Sequence, residues 1–228
     1  NPKMSPYVFM EKNKIHIIDL NKTISKLDEA CRSLKQIAKS GKKILFVATK
    51  KQAKTIVAES AKSLNMPYIT ERWPGGLLTN FSTIRKSIKK MNSIDTMKED
   101  GTFDTLSKRE KLQIERTREK LELNFGSIEN MNRIPEAIFV VDINKEHIAV
   151  AEANKLGMRS YAMVDTNTNP KLVNFPIPAN DDSTKSISKI MQIISEAIAE
   201  GLSERSKTIE EKAKIKQEKA KEILNKDN

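Results

Sequence analysis

Residues 44–48 read Ile-Leu-Phe-Val-Ala, an unbroken apolar run typical of a strand that a sheet buries on both faces. Residues 67–70, 137–142 and 160–165 are further strand candidates. Amphipathic helical stripes alternate with them, formed by Ile24, Leu27, Cys31, Leu34 and Ala38, by Ala53, Ile56, Val57 and Leu64, and by Ile187, Ile190, Met191, Ile194 and Ile198. This alternation predicts an α/β fold with a parallel sheet, right-handed crossovers and helices on both faces.

One segment, residues 81–133, interrupts this alternation because it holds no strand pattern. Apolar residues at helical spacing indicate two helices, with Asp100-Gly101 as the turn and Ser107-Lys-Arg-Glu110 as a capping box that starts the second. We expect an antiparallel helical hairpin, of coiled-coil type, inserted into an α/β domain made of residues 1–80 and 134–202. Thr117 and Asn124 interrupt its apolar seam, so the hairpin should depend on a partner for rigidity.

Three glycines follow helical patterns at positions suited to end a helix: Gly41, Gly157 and Gly201. Residues 203–228 then form a charged tail with few large apolar side chains, which we expect either to dock on an assembly or to fray. The chain opens on Asn1 and not Met, so a short upstream segment is expected.

The charge balance points to a polyanionic partner. The chain carries a formal net charge of +11, and residues 1–60 hold 13 Lys/Arg against 5 Asp/Glu. Such a field concentrates nucleic acid, whose neutralised phosphates release counterions. Cys31 is the only cysteine, which excludes an intrachain disulfide, and His16 and His147 stand in no metal-ligand pattern. The absence of a long apolar run and of a signal peptide predicts a cytoplasmic protein. No cofactor is expected, because no nucleotide-binding motif occurs.

Enzyme signatures are weak. Neither GxGxxG nor GxxxxGK[ST] occurs, and no GxSxG motif supports nucleophilic catalysis. Asp142, Asp165, Asp181 and Asp182 end strands or start a helix, and together they could hold Mg²⁺ for phosphoryl transfer. The alternative is local capping at an Asx-type turn and at the start of the last helix, which we favour because no nucleophile or base is patterned beside them.

Two segments favour nucleic-acid binding. Residues 1–9 combine Lys3 with two prolines and two aromatics, followed by Lys12 and Lys14, which predicts an extended basic segment with Tyr7 free to stack. Residues 72–80, Arg-Trp-Pro-Gly-Gly-Leu-Leu-Thr-Asn, offer a forked phosphate donor in Arg72 and a stacking face in Trp73. The same 72–80 loop also predicts a hinge from which the hairpin departs.

At these motifs the sequence resembles the bacterial family of the small-ribosomal-subunit protein numbered two. The resemblance covers residues 1–202 and is carried, in order, by Asn1-Pro-Lys-Met4, Ile15-His-Ile-Ile-Asp19, Arg72-Trp-Pro-Gly-Gly-Leu-Leu-Thr-Asn80, Asp165-Thr-Asn167, Pro176-Ile-Pro-Ala-Asn-Asp-Asp182 and Gly201. Pro74 departs from the leucine expected in many relatives. The family's usual upstream Gly-His stretch is missing from this sequence.

The resemblance implies a flavodoxin-like, three-layer α/β domain with a protruding helical hairpin. It also implies contacts with small-subunit ribosomal RNA and neighbouring ribosomal proteins, including the mRNA-binding protein numbered one, and no enzymatic turnover. The expected RNA-binding residues are Lys3, Tyr7, Lys12, Lys14, Lys22, Lys50, Lys51, Arg72, Trp73, Arg85, Lys89, Arg116 and Arg118. The expected hinge and structural residues are Pro74, Gly75, Gly76, Asn80, Asn180, Asp181 and Asp182. The rival interpretations are a Mg²⁺-dependent phosphotransferase and a scaffold whose hairpin grips a protein.

Overall fold

The apolar run at residues 44–48 forms strand β3 (Ile44–Val47) in the computed structural model, and all four of its side chains are buried. The structure describes residues 1–226, with side chains through residue 211. The elements that precede β3 are a 3-10 helix (Pro2–Tyr7), β1 (Val8–Lys12), β2 (Ile15–Ile18) and α1 (Leu20–Lys39). Those that follow are α2 (Lys51–Ser63), β4 (Tyr68–Ile69), α3 (Phe81–Glu99), α4 (Lys108–Phe125), β5 (Ala137–Val141), α5 (His147–Lys155), β6 (Arg159–Val164), β7 (Phe175–Pro178) and α6 (Thr184–Lys226).

Five parallel strands form the central sheet in the order β4-β3-β5-β6-β7. Because β3 and β4 are the first two of these strands in the chain, the order is that of flavodoxin-like sheets, with the reversal between β3 and β5. Helices α1, α2 and α6 cover one face. Helix α5, the 72–80 loop and the start of α3 cover the other. The predicted three-layer fold is confirmed.

The edges of the sheet are short or rich in proline. β4 has two residues, and β7 reads Phe-Pro-Ile-Pro. Proline has no backbone N–H to donate to a strand ladder, so it suits an edge strand. The two prolines also interrupt the apolar pattern by which a strand is recognised in sequence. For this reason β7 does not follow from the sequence pattern.

Helices α3 and α4 run antiparallel. Asp95 pairs with Arg118, and Lys98 lies 3.9 Å from Glu115, so the numbers rise along one helix as they fall along the other. Ser107 and Glu110 form the expected capping box. Helix α3 buries four apolar residues, whereas α4 buries none. The coiled-coil character of this pair and its standing as a separate inserted unit stay predictions.

Helix α6 corrects the interpretation of Gly201. Gly41 and Gly157 have positive φ just after α1 and α5, as expected. Gly201 instead lies inside α6, which continues to Lys226. A Cβ at Gly201 would stand 2.5 Å from the carbonyl oxygen of Lys35, so the glycine lets α6 approach α1 closely. The helix therefore includes most of the charged tail, while the side chains of residues 212–228 lie outside the described part.

The described residues contain no helix that is both long and apolar enough to span a bilayer.

Candidate nucleic-acid interface

The amino-terminal segment is helical and not extended as predicted. Residues Pro2–Tyr7 form a 3-10 helix, with the side chain of Asn1 accepting a hydrogen bond from the backbone of Lys3 at 3.0 Å. The backbone nitrogen of Asn1 lies 2.9 Å from the carbonyl oxygen of Thr166, and Met4 is buried, so the segment is tied to the domain. Tyr7 is half-buried against the core and offers little ring surface for stacking.

Strands β1 and β2 pair as an antiparallel hairpin beside this segment. In β2, Ile15, His16 and Ile17 are all exposed. Lys12 and Lys14 lie at the turn and are exposed, as is Lys3. No ion pair engages these three lysines within the part of the chain that the structure describes. The hairpin therefore projects uncompensated positive charge.

Three further basic residues from the expected set differ in their exposure and in their contacts. Lys51 is exposed at the first position of α2. Lys22 is exposed, contacts the carbonyl of Pro6 and lies 3.6 Å from the Asp19 carboxylate. Lys50 does not fit its expected role as an RNA contact, because its side chain is only 14% exposed. Its ammonium lies 2.6 Å from Asp181, 2.7 Å from Asp182 and 3.4 Å from Asp142. Lys50 thus neutralises an internal cluster and is not available to RNA.

The aspartates that the sequence placed at strand ends do come together. Asp165, Asp181 and Asp182 each offer a carboxylate oxygen within 4.8 Å of the others, a spacing that would admit a divalent cation. Burial raises the pKa of Asp181 to about 6, with the charges of Asp142 and Asp165 acting in the same direction against the Lys50 contact.

Local capping is present as well. Asn180 Oδ1 accepts from the backbone of Asp182 at 2.8 Å and of Ser183 at 3.0 Å, just before α6. Asp142 Oδ1 accepts from the backbone of Asn144 and Lys145 after β5. Both features expected of these polar residues, capping and clustering, therefore coexist.

The crevice between β3 and β5, where open α/β sheets bind ligands, is filled by the protein itself. Glu146 Oε1 accepts from the backbone and the hydroxyl of Thr49 at 2.9 and 2.5 Å. Lys145 Nζ donates to the Thr49 carbonyl at 2.9 Å from the other side. These contacts close the switch point with side chains, which agrees with the lack of a nucleotide-binding motif.

The 72–80 loop is organised by a buried carboxylate that sequence reasoning missed. Glu152 of α5 accepts hydrogen bonds from the Trp73 indole (3.0 Å), from the backbone N–H groups of Gly76 (2.7 Å), Leu78 (3.0 Å) and Thr79 (3.1 Å), and from the Thr79 hydroxyl (3.2 Å). Burial opposes the charged form, but the hydrogen bonds outweigh it and hold the pKa of Glu152 below its usual value. Glu152 thereby anchors the loop from which α3 departs.

This anchoring changes the role of Trp73. Its side chain is 7% exposed and packs in the core, so the prediction of a stacking face for RNA is wrong. Gly76 adopts a positive φ of 84°, which explains the second glycine of the motif. Asn80 precedes α3 and accepts from the Thr83 hydroxyl at 2.9 Å. Arg72, at the start of the loop, is exposed.

Of the expected basic residues in the helical pair, two have contacts within the protein and two are exposed. Arg85 donates to the backbone carbonyls of Glu129 and Met131, both at 3.3 Å, and so holds the segment after α4. Arg118 is engaged by Asp95 and Glu122. Arg85 and Arg118 therefore make structural contacts within the protein, and their expected contacts with RNA stay predictions. Lys89 and Arg116 are exposed.

A groove of about 980 Å³ runs between the 72–80 loop and the outer face of α4. Arg72 and Arg116 lie in it together with two cations that were not among the expected residues, Arg109 and Lys120. The signal for these two was present in the sequence, since positions 109, 116 and 120 share one face of a helix. It went unused because the sequence alone did not show which face the domain leaves open.

Comparisons with known proteins agree with the resemblance. A family model described as "Ribosomal protein S2" matches residues 1–201. The "Small ribosomal subunit protein uS2" of Flavobacterium johnsoniae is 63% identical over 205 residues, which cover 90% of this chain and 81% of that protein. The proteins of the same name from Phocaeicola vulgatus and Porphyromonas gingivalis are each 64% identical over 90% of this chain, covering 74% and 73% of their own lengths.

Proposed function

The chain belongs to the ribosomal protein S2 family, and from that premise we propose that it is a structural constituent of the small ribosomal subunit that binds ribosomal RNA through exposed basic side chains. The family is one of ribosomal structural proteins and not of enzymes, so the phosphotransferase alternative is set aside. Neighbouring ribosomal proteins, including the mRNA-binding protein numbered one, are proposed partners on the same premise.

One observation carries the RNA-binding proposal. Lys3 on the 3-10 helix and Lys12 and Lys14 at the β1–β2 turn are exposed and without ion pairs among the described residues. An exposed lysine that forms no ion pair within its own protein can displace counterions from a phosphate backbone. Lys51, Lys89 and Arg72 are further exposed cations that can contact RNA. Lys22 is exposed as well and contacts the carbonyl of Pro6.

The mode of recognition follows from these residue types. Lysine is a flexible point charge and reads no base sequence, so specificity would come from the shape of folded RNA. The rigid sheet supports this mode, because a shape can be matched only by charges that are held at fixed separations. The pinned 3-10 helix fixes Lys3 in the same way.

The test is the salt dependence of binding to purified small-subunit ribosomal RNA. Each phosphate contact contributes about 0.9 to the log–log slope for duplexes, so Lys3→Ala/Lys12→Ala/Lys14→Ala should lower the slope by about 2 to 3. The matched control removes three exposed lysines of α6, Lys185, Lys189 and Lys207, and should leave the slope near that of the wild type.

An unchanged slope in the amino-terminal variant would remove these lysines from the interface. A wild-type protein that binds no subunit RNA, but whose helical pair a ribosomal protein shields from proteolysis, would favour the scaffold alternative.

A further inference from the structure

The groove beside α4 has a lining of unusual charge. Four cations face it, Arg72, Arg109, Arg116 and Lys120, and among the residues that the structure describes its lining includes no Asp or Glu. Within the described residues, none of the four forms an ion pair. Unpaired cations that share a concave surface reinforce one another's field and attract an anionic occupant.

The charges of α4 are sorted by face. Glu110 accepts from Ser107 at the start of the helix, Glu115 lies 3.9 Å from Lys98 of α3, and Glu122 pairs with Arg118. Three cations of α4, Arg109, Arg116 and Lys120, thus line the groove, whereas Lys111 and Arg118 pair with Asp104 and Asp95 away from it. The acids of α4 whose contacts are defined lie outside the groove lining. Since α4 buries none of its residues, folding of the core does not require this arrangement.

The groove also has an apolar side. Pro74, Leu112, Leu121 and Phe125 line it beside the cations, and Leu112 is 49% exposed. Aromatic and apolar side chains pack on the faces of RNA bases where the bases are unpaired and splayed. A paired helix would present phosphates to the cations and leave the apolar residues uncovered.

We propose that this groove binds an unpaired segment of RNA, with its phosphates on the four cations and its bases or riboses against Leu112 and Phe125. The inference rests on the proposed function and names the RNA form that this site takes. Arg109 and Lys120 are 11 residues apart, or about 16 Å along a helix that rises 1.5 Å per residue. The cations of α4 are thus spread along the groove, where they can contact successive phosphates of one strand. Three of the four cations are arginines, whose forked donors match phosphate oxygens in pairs.

The first experiment compares salt slopes for the full chain on purified small-subunit ribosomal RNA. Arg109→Ala/Arg116→Ala/Lys120→Ala should lower the log–log slope by about 2, at about 0.7 per contact with a single strand. It should also weaken binding about 10-fold or more near 0.1 M salt. The Lys185, Lys189 and Lys207 alanine variant is the charge-matched control and should do neither. All six residues are exposed, so both variants should show the helical circular dichroism of the wild type.

A conservative variant separates charge from geometry. Arg109→Lys/Arg116→Lys keeps both charges, so the salt slope should stay near that of the wild type while the affinity falls several-fold through loss of the forked donors. If the lysine variant binds as the wild type does, arginine geometry has no part in the site and the proposed phosphate contacts are overturned.

The second experiment identifies the occupant. A photoreactive benzoylphenylalanine at position 112 should crosslink to RNA nucleotides that chemical probing finds unpaired. Crosslinks to paired nucleotides, or to a ribosomal protein in the assembled subunit, would overturn the proposal and assign the groove to duplex RNA or to a protein segment.

The outcomes also separate this inference from the broader one. If wild-type protein binds and the Lys3, Lys12 and Lys14 variant lowers the slope while the groove variant does not, only the groove assignment fails. If the wild type itself shows no salt-dependent RNA binding, the proposed function fails and the groove assignment fails with it.

Discussion

At the scale of single residues, Glu152 shows how one buried charge can define a loop. Its two oxygens accept five hydrogen bonds from a stretch of seven residues, three of them from backbone N–H groups. Buried N–H groups are costly to leave unpaired, and a carboxylate satisfies several at once because it is acceptor-only. The Trp-Pro-Gly-Gly motif therefore needs a partner that lies more than 70 residues away in the chain.

We expect Glu152→Gln to lower the free energy of unfolding by about 2 to 4 kcal/mol. The amide keeps the shape but turns one acceptor into a donor that faces other donors. Urea unfolding at pH 7 measures the change. Glu119→Gln, an exposed position of α4, is the control and should shift the value by less than about 0.5 kcal/mol.

The pH dependence gives this prediction a second readout. The pKa of Glu152 is lowered in the folded protein, so its stabilisation is present above the ordinary carboxyl pKa and disappears as the pH falls through the folded value. The gap between wild type and Glu152→Gln should therefore shrink in acid. A gap that stays constant down to strongly acidic pH would mean that the carboxylate charge does not hold the loop.

At the scale of elements, the packing of α6 on α1 depends on the absence of a side chain at Gly201. A Cβ at Gly201 would meet the Lys35 carbonyl at 2.5 Å and the Ala38 Cβ at 3.1 Å. Lys35 also lies 3.0 Å from Glu200 and 2.8 Å from Glu204, so ion pairs flank the same contact. Because the nearest obstacle is backbone, the helices must separate if the methyl group is added.

We expect Gly201→Ala to destabilise the protein by about 1 to 3 kcal/mol, although alanine favours an isolated helix by about 1 kcal/mol. Thermal and urea unfolding measure the net effect. Gly126→Ala is the matched control, since Gly126 has helical φ and ψ and a Cβ there would meet only the flexible Glu122 side chain at 3.4 Å. That variant should be neutral or slightly more stable. Equal effects at the two glycines would show that close helix approach is not the reason for Gly201.

Elements differ in how well the sequence alone predicts them. β3, β5, β6 and the buried stripe of α6 follow from apolar patterns, because burial selects residues locally. β7 does not, since prolines hide it. Gly201 was misplaced because a glycine that ends a helix and one that admits a neighbour look alike in sequence.

The site is less predictable than the fold for a related reason. Charge and exposure decide whether a cation can reach RNA, and tertiary partners set both. Lys50 and Arg118 looked like Lys14 and Arg116 in sequence, yet aspartates from distant elements hold the first two. Arg109 and Lys120 became candidates only once the groove placed them beside Arg72.

At the scale of the whole molecule, the distribution of burial predicts an uneven distribution of stability. The parallel strands are almost fully buried, whereas α4 buries no side chain and rests on α3 through partly exposed pairs. Segments with few buried contacts open locally at free energies well below that of global unfolding. A helix of this kind can then become more rigid when RNA occupies the groove that the helix lines.

We therefore expect hydrogen exchange of the free protein to show α4 amides opening at least about 2 kcal/mol more easily than those of β5, because each α4 amide is held mainly by its own helix. Mass spectrometry of peptides from both elements measures this difference, and peptides from the buried first half of α6 are the internal control. Bound small-subunit RNA should slow exchange in α4 by suppressing its local opening, and should slow β5 only as far as binding raises the free energy of global unfolding. The Arg109→Ala/Arg116→Ala/Lys120→Ala variant should lose this protection while its free-state exchange stays the same. Exchange in α4 as slow as in β5 before RNA is added would mean that the helix gains its order from the domain, and the dependence of the helical pair on a partner would be disproved.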